Sequence, residues 1–326
     1  MKTIRMGYIG CGGNARGHMG RVHGLEGAEV AAVCDTVREL ADGAAAAFKA
    51  RAYTDMHKML DTEELDAVTI SIPVYAHGEP ERAVAERGLP LLVEKPVARH
   101  LETAREIEAM LKVAGVISAV GYQLRYSSTV TAAKEFLLDK QIGLCVGSYW
   151  CGTGRLPASR WTVQFEKSGG QLLEQATHTV DMMRYLVGEI EEVHAYGART
   201  ILSHTDCDDA MVVSWKYRSG ALGSLTTSWA MDNSDWRFAN QVHLTGDGWH
   251  LHWSAPKLSI KQGGEELREV TDTGPSIDQV FCEAVRTKNQ KLILSSYSDG
   301  VKSMAISIAA IESARRGEAV RIADLG

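Results

Sequence analysis

No block of basic residues occurs in this 326-residue chain. Its 35 Lys and Arg stand against 41 Asp and Glu, for a net charge of -6. It therefore lacks the electrostatic footprint of a nucleic-acid binder, and no nucleic-acid partner is expected. No apolar run approaches the ~20 residues of a membrane span, so no membrane association is expected either. The six cysteines (Cys11, Cys34, Cys145, Cys151, Cys207 and Cys282) show no C-x-x-C spacing. A chain of this length needs no disulfide staples, so reduced thiols in a cytoplasm are the expectation. No secretory h-region is expected either. The apolar stretch from Ile4 is interrupted by Arg5 and runs straight into glycines, as the first strand of a fold would.

What is present is an ordinary globular composition, 45% hydrophobic and 23% charged. It is long enough for two domains of roughly 150 residues each. The two halves have different textures.

In the first half, apolar Ile4, Met6 and Tyr8 alternate into a turn, Gly10-Cys11-Gly12-Gly13-Asn14-Ala15, which opens a helix running toward Gly24. This is G-x-G-x-x-A between strand and helix. The first glycine makes a tight turn, the second admits a pyrophosphate to the backbone, and a small third residue lets helix approach strand. The helix N-terminus then offers free amides to phosphate. A second strand, Glu29 to Cys34, ends at Asp35, about twenty residues on, where an acidic side chain would accept the ribose hydroxyls. Asp35 would also repel a 2′-phosphate, which favours NAD over NADP, although Arg38 lies near enough in sequence to receive a phosphate. The competing reading of Asp35 is a helix N-cap.

Helix and strand patterns continue to alternate through a short strand near Ala52, through Asp66–Ile72, ended by Pro73, through Leu89–Val93, and through Val116–Tyr122. Six strands separated by helices indicate a doubly wound parallel sheet with right-handed crossovers. The strand ends at Gly10, Asp35, Pro73, Glu94 and Tyr122 then share one rim. The unbroken apolar run Leu89–Val93 reads as a strand covered on both faces, so Glu94-Lys95-Pro96 emerges where such sheets bind ligands. Solvated charges at a strand end are the alternative.

After Tyr122, segments rich in Val, Thr, Trp and Tyr are separated by turn signals: Leu144–Trp150, Glu192–Ile201, Ala210–Tyr217, Ala221–Ala230, Gln241–Thr245, His250–Trp253 and Leu258–Lys261. This is the pattern of an open, mostly antiparallel sheet with one free face. A homo-oligomer, dimer or tetramer, formed through that face is expected. The expected domains are 1–122 and 123–326, with a C-terminal helix at about 298–316 turned back toward the first. One segment, Ser168 to Asp181, reads as a helix carrying Glu174, His178 and Asp181 at i, i+4 and i+7, which would align two carboxylates and an imidazole on one stripe. An ordinary ion pair and a solvated aspartate would give the same spacing. His250 and His252, with Asp206, Cys207 and Asp208, have no recognised ligand spacing, and no metal is expected.

These residues together resemble the Gfo/Idh/MocA oxidoreductases. The resemblance runs through the Gly10–Ala15 turn, Asp35, Pro73 with His77, Glu94-Lys95-Pro96, and Gly121 with Arg125 and Tyr126. It continues through Gly169-Gly170 with Glu174, His178 and Asp181 to Ser313 and Val320-Arg321-Ile322. It implies an N-terminal Rossmann domain followed by an α/β domain, both serving NAD-dependent chemistry. Cofactor contacts are implied for Gly10, Gly12, Gly13, Asn14, Asp35, Pro73, His77, Glu94 and Lys95. Lys95 would face both the nicotinamide side and the reacting hydroxyl, and His178 would be the acid/base. The family commonly has Asp four residues before the histidine, where this chain has Glu174, a third candidate for the catalytic group.

Oxidising a secondary alcohol requires taking its proton as hydride departs. An imidazole, with an ordinary pKa of ~6.5, suits that step near neutrality, and a lysine cation would stabilise the developing alkoxide. Gln123, Arg125, Trp161, Asp181 and Trp236, with Arg160, Asp232 and Asn233, would suit the rings and hydroxyls of a cyclic sugar or polyol. For the tryptophans a core position is the competing reading, and for Gln123 and Arg125 a domain interface. Two other functions fit the same residues: redox-neutral elimination, epimerisation or glycoside cleavage with tightly held NAD, and a non-catalytic nucleotide-sensing regulator.

Overall fold

The computed structural model describes residues 2–232 and 240–325. The chain divides into two compact units: residues 1–123 with 275–301, and residues 124–274 with 302–326. This differs from the expected division at residue 122 because the chain returns. Residues 275–301, expected in the second domain, are compact with the first.

The first unit holds a six-stranded parallel sheet of β1 (Ile4–Ile9), β2 (Ala28–Cys34), β3 (Arg51–Tyr53), β4 (Ala67–Ile70), β5 (Leu91–Val93) and β6 (Ser118–Val120), in the order β3-β2-β1-β4-β5-β6. Every residue of β4, β5 and β6 is buried, as a sheet covered on both faces requires. Its helices are α1 (Gly13–His23), α2 (Arg38–Phe48), α3 (Met56–Thr62), α4 (Glu79–Glu86) and α5 (Leu101–Ala114). Cys34, Ile9, Ile70, Val93 and Val120 form one register row across β2, β1, β4, β5 and β6. Because the strands are parallel, the residues after that row all leave the sheet at one edge, as expected.

The second unit carries a nine-stranded sheet of β7 (Ile142–Trp150), β8 (Ile190–Ala198), β9 (Ala210–Tyr217), β10 (Leu222–Ser228), β11 (Asn240–Gly246), β12 (Trp249–Ser254), β13 (Lys257–Gln262), β14 (Arg268–Thr271) and β15 (Val320–Arg321). The order is β14-β13-β12-β11-β7-β10-β9-β8-β15. All neighbours are antiparallel except β10 and β7. β9 alternates strictly between buried and exposed residues, the signature of a sheet with one covered face. The core on that face includes Cys145, Val213, Leu225, Val242 and Leu251 from the strands and Val180, Met183, Ile306 and Ala310 from helices. The helices of this part are α6 (Ser128–Leu137), α7 (Phe165–Ser168), α8 (Gln171–Glu174) and α9 (Thr177–Val187).

The chain then forms α10 (Ile277–Thr287), which belongs to the first unit, and α11 (Tyr297–Arg316), within which the division between the units falls. α10 is missing from the sequence reading, yet its signal is local. Ser276 caps the Gln279 amide, and Ile277, Phe281 and Ala284 form a buried stripe at i, i+4 and i+7. Among the described residues no cysteine forms a disulfide and all six are buried, and no helix is long and apolar enough to cross a membrane.

Candidate functional site

In the first unit the site begins where β1 ends. Gly10 has φ +96, and a Cβ there would stand 2.0 Å from the Ser71 carbonyl oxygen, so only glycine makes this turn. Gly12 is different. Its φ is -68, and a Cβ on it or on Gly13 would meet nothing within 4 Å. The chain's own packing gives no reason for glycine at either position, whereas a ligand lying on the backbone does. α1 starts from Gly12 with no side-chain cap on its amides, and Asn14 beside them is exposed. Uncapped amides at the start of an eleven-residue helix suit a phosphate.

Asp35 borders this turn. One carboxylate oxygen accepts the Cys11 amide at 2.8 Å and the other the Val37 amide at 2.9 Å. It thus steadies the glycine turn and the start of α2, and each oxygen retains acceptor capacity for a hydroxyl. The residues present therefore fit a dinucleotide.

Pro73 precedes a short 3-10 turn, Val74–Ala76. The side chain of His77, expected at the cofactor, is 1% exposed and bonds Glu81 at 2.6 Å, while the other Glu81 oxygen accepts the Gly78 amide at 2.6 Å. The histidine pins the start of α4.

Glu94 follows β5 and is 7% exposed. Its Oε1 meets His18 Nε2 at 3.0 Å and its Oε2 accepts the Lys95 amide at 3.3 Å. A Cβ on Gly121 would lie 2.4 Å from Glu94 Oε1, so a side chain there would have to displace this carboxylate. Lys95 is half-buried. His18, which the sequence reading does not single out, is 2% exposed and bonds Asp278 of α10 through Nδ1 at 2.6 Å. Burial alone would lower its pKa, but the bonds to Asp278 and Glu94 and their charges outweigh this and raise it to about 9. No local signal could have found the pair, because 260 residues separate its members.

In the second unit the expected single helix from 168 to 181 is broken. α8 ends at Glu174 and α9 starts at Thr177, with Gln175 at φ -111, ψ -57 between them. Glu174 is therefore not on one helical stripe with His178 and Asp181. Glu174 is 6% exposed, Gln175 accepts the Tyr149 hydroxyl at 2.9 Å, and His178, in the first turn of α9, is half-buried.

Asp181 and Arg125, expected at a substrate, are each 2% exposed. They form a bidentate pair at 2.8 and 2.6 Å, completed by the Ser303 hydroxyl at 2.7 Å, with Arg125 also lying over the Tyr185 ring. Both are tied to the fold. Trp161 opens a 3-10 turn and is half-buried. Gln123, the last residue of the first unit's opening segment, is exposed. Trp236 and Asn233 lie outside the described residues.

Comparison with known proteins shows the family. Residues 4–122 match the model of the oxidoreductase family with an NAD-binding Rossmann fold, and residues 130–248 match the GFO/IDH/MocA C-terminal domain. The chain belongs to the Gfo/Idh/MocA oxidoreductases and carries their NAD-binding domain. It is 26% identical over 317 residues to scyllo-inositol 2-dehydrogenase (NAD(+)) of Bacillus subtilis, covering 92% of this chain and 91% of that protein. It is 24% identical over 397 residues to levoglucosan dehydrogenase of Pseudarthrobacter phenanthrenivorans, covering 97% of each. Among solved structures, the WlbA dehydrogenase from Bordetella pertussis in complex with NADH and UDP-GlcNAcA superposes with a TM-score of 0.83 at 25% identity, over 98% of this chain and 99% of that one.

The raised pKa of His18 is also a statement about stability. Its folded pKa, about 9, exceeds the unfolded ~6.5. The stabilisation is therefore complete below ~pH 6.5 and lost as pH rises through about 9, with a magnitude on the order of 3 kcal/mol. Denaturation between ~pH 6 and ~pH 10 should show stability falling across that window in the wild type and a flatter profile in His18→Gln. Equal slopes in the two proteins would contradict it.

Proposed function

We propose that the protein transfers a hydride between a secondary hydroxyl of a cyclic sugar or polyol and NAD(H). The observation that carries this reading is the single rim on which the open glycine turn, Asp35 and Glu94-Lys95 follow adjacent strand ends. The scyllo-inositol and levoglucosan dehydrogenases among its relatives support the substrate class.

Gly10, Gly12, Gly13 and Asn14 would hold the pyrophosphate at the start of α1, and Asp35 the ribose hydroxyls. When bound, NAD supplies the hydride acceptor. Asp35 offers only carboxylate oxygens already accepting two amides, a poor setting for a 2′-phosphate, which favours NAD over NADP. Lys95 stabilises the developing alkoxide through its charge and hydrogen bond. His178 takes the hydroxyl proton on oxidation and returns it on reduction. Glu174 is retained as a candidate third catalytic group, and Trp161 with Gln123 as substrate contacts. Arg125 and Asp181 act one step back, holding α9 in place.

Lys95→Ala and His178→Ala should each lower kcat by ~10²-fold or more, the usual worth of one acid/base or electrostatic group. Fold and NAD affinity should be retained. Turnover close to wild type in both variants would contradict the assignment. A redox-neutral reaction with tightly held NAD uses the same groups and is marked by cofactor that copurifies and never exchanges.

The open face of the second sheet is assigned to a second copy of the chain. Tyr196, Val212, Leu222 and Leu144 are 68%, 55%, 56% and 42% exposed. Cross-strand register places Tyr196 beside Val212 and Leu222 beside Leu144 on that face. Apolar side chains of this size, paired across an open sheet face, suit association with another copy. Light scattering should give a dimer or tetramer, and Val212→Lys should shift it toward monomer. A monomeric wild-type protein would contradict this.

A further inference from the structure

His18, Glu94 and Asp278 come from α1, the end of β5 and α10, and are 2%, 7% and 1% exposed. Both ring nitrogens of His18 face carboxylate oxygens, Asp278 at 2.6 Å and Glu94 at 3.0 Å. A neutral imidazole can donate only once, so one nitrogen lone pair would confront a carboxylate; the imidazolium satisfies both. The second Asp278 oxygen accepts Arg21 Nε at 2.5 Å. Tyr8 and Cys282 also lie within electrostatic reach of Asp278. Burial pushes the Tyr8 phenol well up and the Cys282 thiol up to about 12, so both stay neutral. Without the His18 proton, the buried Asp278 and Glu94 carboxylates would each lose a charged partner inside the fold, a costly arrangement.

This cluster reaches the proposed chemistry through Glu94. One of its oxygens is held by His18, the other accepts the Lys95 amide at 3.3 Å, and the Gly121 backbone closes the space beside it. We infer that His18 is a positioning residue for the reaction: it clamps Glu94 from inside the fold, and Glu94 fixes the backbone from which Lys95 projects. The inference rests on the role proposed above for Lys95. It gives the return of residues 275–301 to the first unit a function, since Asp278 supplies the far end of the clamp.

The test compares wild type with Asp278→Asn, which keeps the side-chain shape but removes the anion supporting the His18 proton. The His18 imidazole is titrated by nitrogen NMR and kcat is measured across the same pH range, with NAD affinity as a check on the site. In the wild type the imidazole should give up its proton near pH 9, and the alkaline fall of kcat should accompany it. In Asp278→Asn both should move down together by about one pH unit or more. A His18 titration that moves while the alkaline limb of kcat stays fixed would overturn the inference and leave only a structural role. His18→Gln should lose roughly tenfold or more in kcat, with a smaller change in KM for NAD. A folded His18→Gln with kcat within about twofold of wild type would also overturn it. Loss of the Lys95 dependence itself overturns the parent reading instead, and Lys95→Ala measured in parallel separates the two failures.

Discussion

In the first sheet, Cys34, Ile9, Ile70, Val93 and Val120 lie side by side in one parallel register row, and the candidate cofactor residues lie just beyond it. Parallel pairing makes this possible, because every strand leaves the sheet in the same direction. The row can close beside β4 only because Gly10 turns with a positive φ against the Ser71 carbonyl, where any side chain would collide. From that turn follow the start of α1, the exposed backbone of Gly12 and Gly13, and the bond from Asp35 to the Cys11 amide.

Each unit also buries an ion pair that fixes an element bearing a candidate catalytic residue. In the first, His18 joins Asp278 and Glu94 beneath Lys95. In the second, Arg125 grips Asp181, three residues along α9 from His178, and Ser303 of α11 completes the contact. Buried pairs of this kind are weak sources of net stability, but breaking one leaves an uncompensated charge inside the fold. Beyond the pH-dependent stabilisation from the His18 proton, their contribution is geometric: they hold a strand end and a helix in one arrangement. The hydrophobic cores of the two units supply the stabilisation against which such pairs can be kept.

The parts of this account legible in the sequence are those with short-range signals. Continuous apolar runs such as Leu89–Val93 mark buried parallel strands, and Ala210–Tyr217 matches its strand end for end because period-two alternation is strong there. The glycine turn and Asp35 are legible because their spacing is local. The return of α10 to the first unit is not, since nothing near Ser276 says which core Ile277 and Phe281 will join. Nor is the break after Glu174, because Gln175 and Ala176 are good helix formers and carry no stop signal. Arg125 is a substrate candidate from its place just after the sixth strand and Asp181 from its helical spacing with His178; that they answer each other across 56 residues is a tertiary fact. His77, implied as a cofactor contact by the resemblance, instead turns its imidazole into the fold toward Glu81, a tertiary placement its position after Pro73 does not reveal.

The central claim, an oxidoreductase acting on a secondary hydroxyl of a sugar or polyol with NAD, is tested most directly by NADH absorbance. Purified protein would be mixed with NAD or NADP and a panel of inositols, hexoses, anhydrosugars and glycosides. The account predicts absorbance rising with NAD and at least one cyclic polyol or sugar, and much less with NADP. No absorbance change across the panel, from protein that releases bound NAD only on denaturation, would contradict it and point to redox-neutral chemistry.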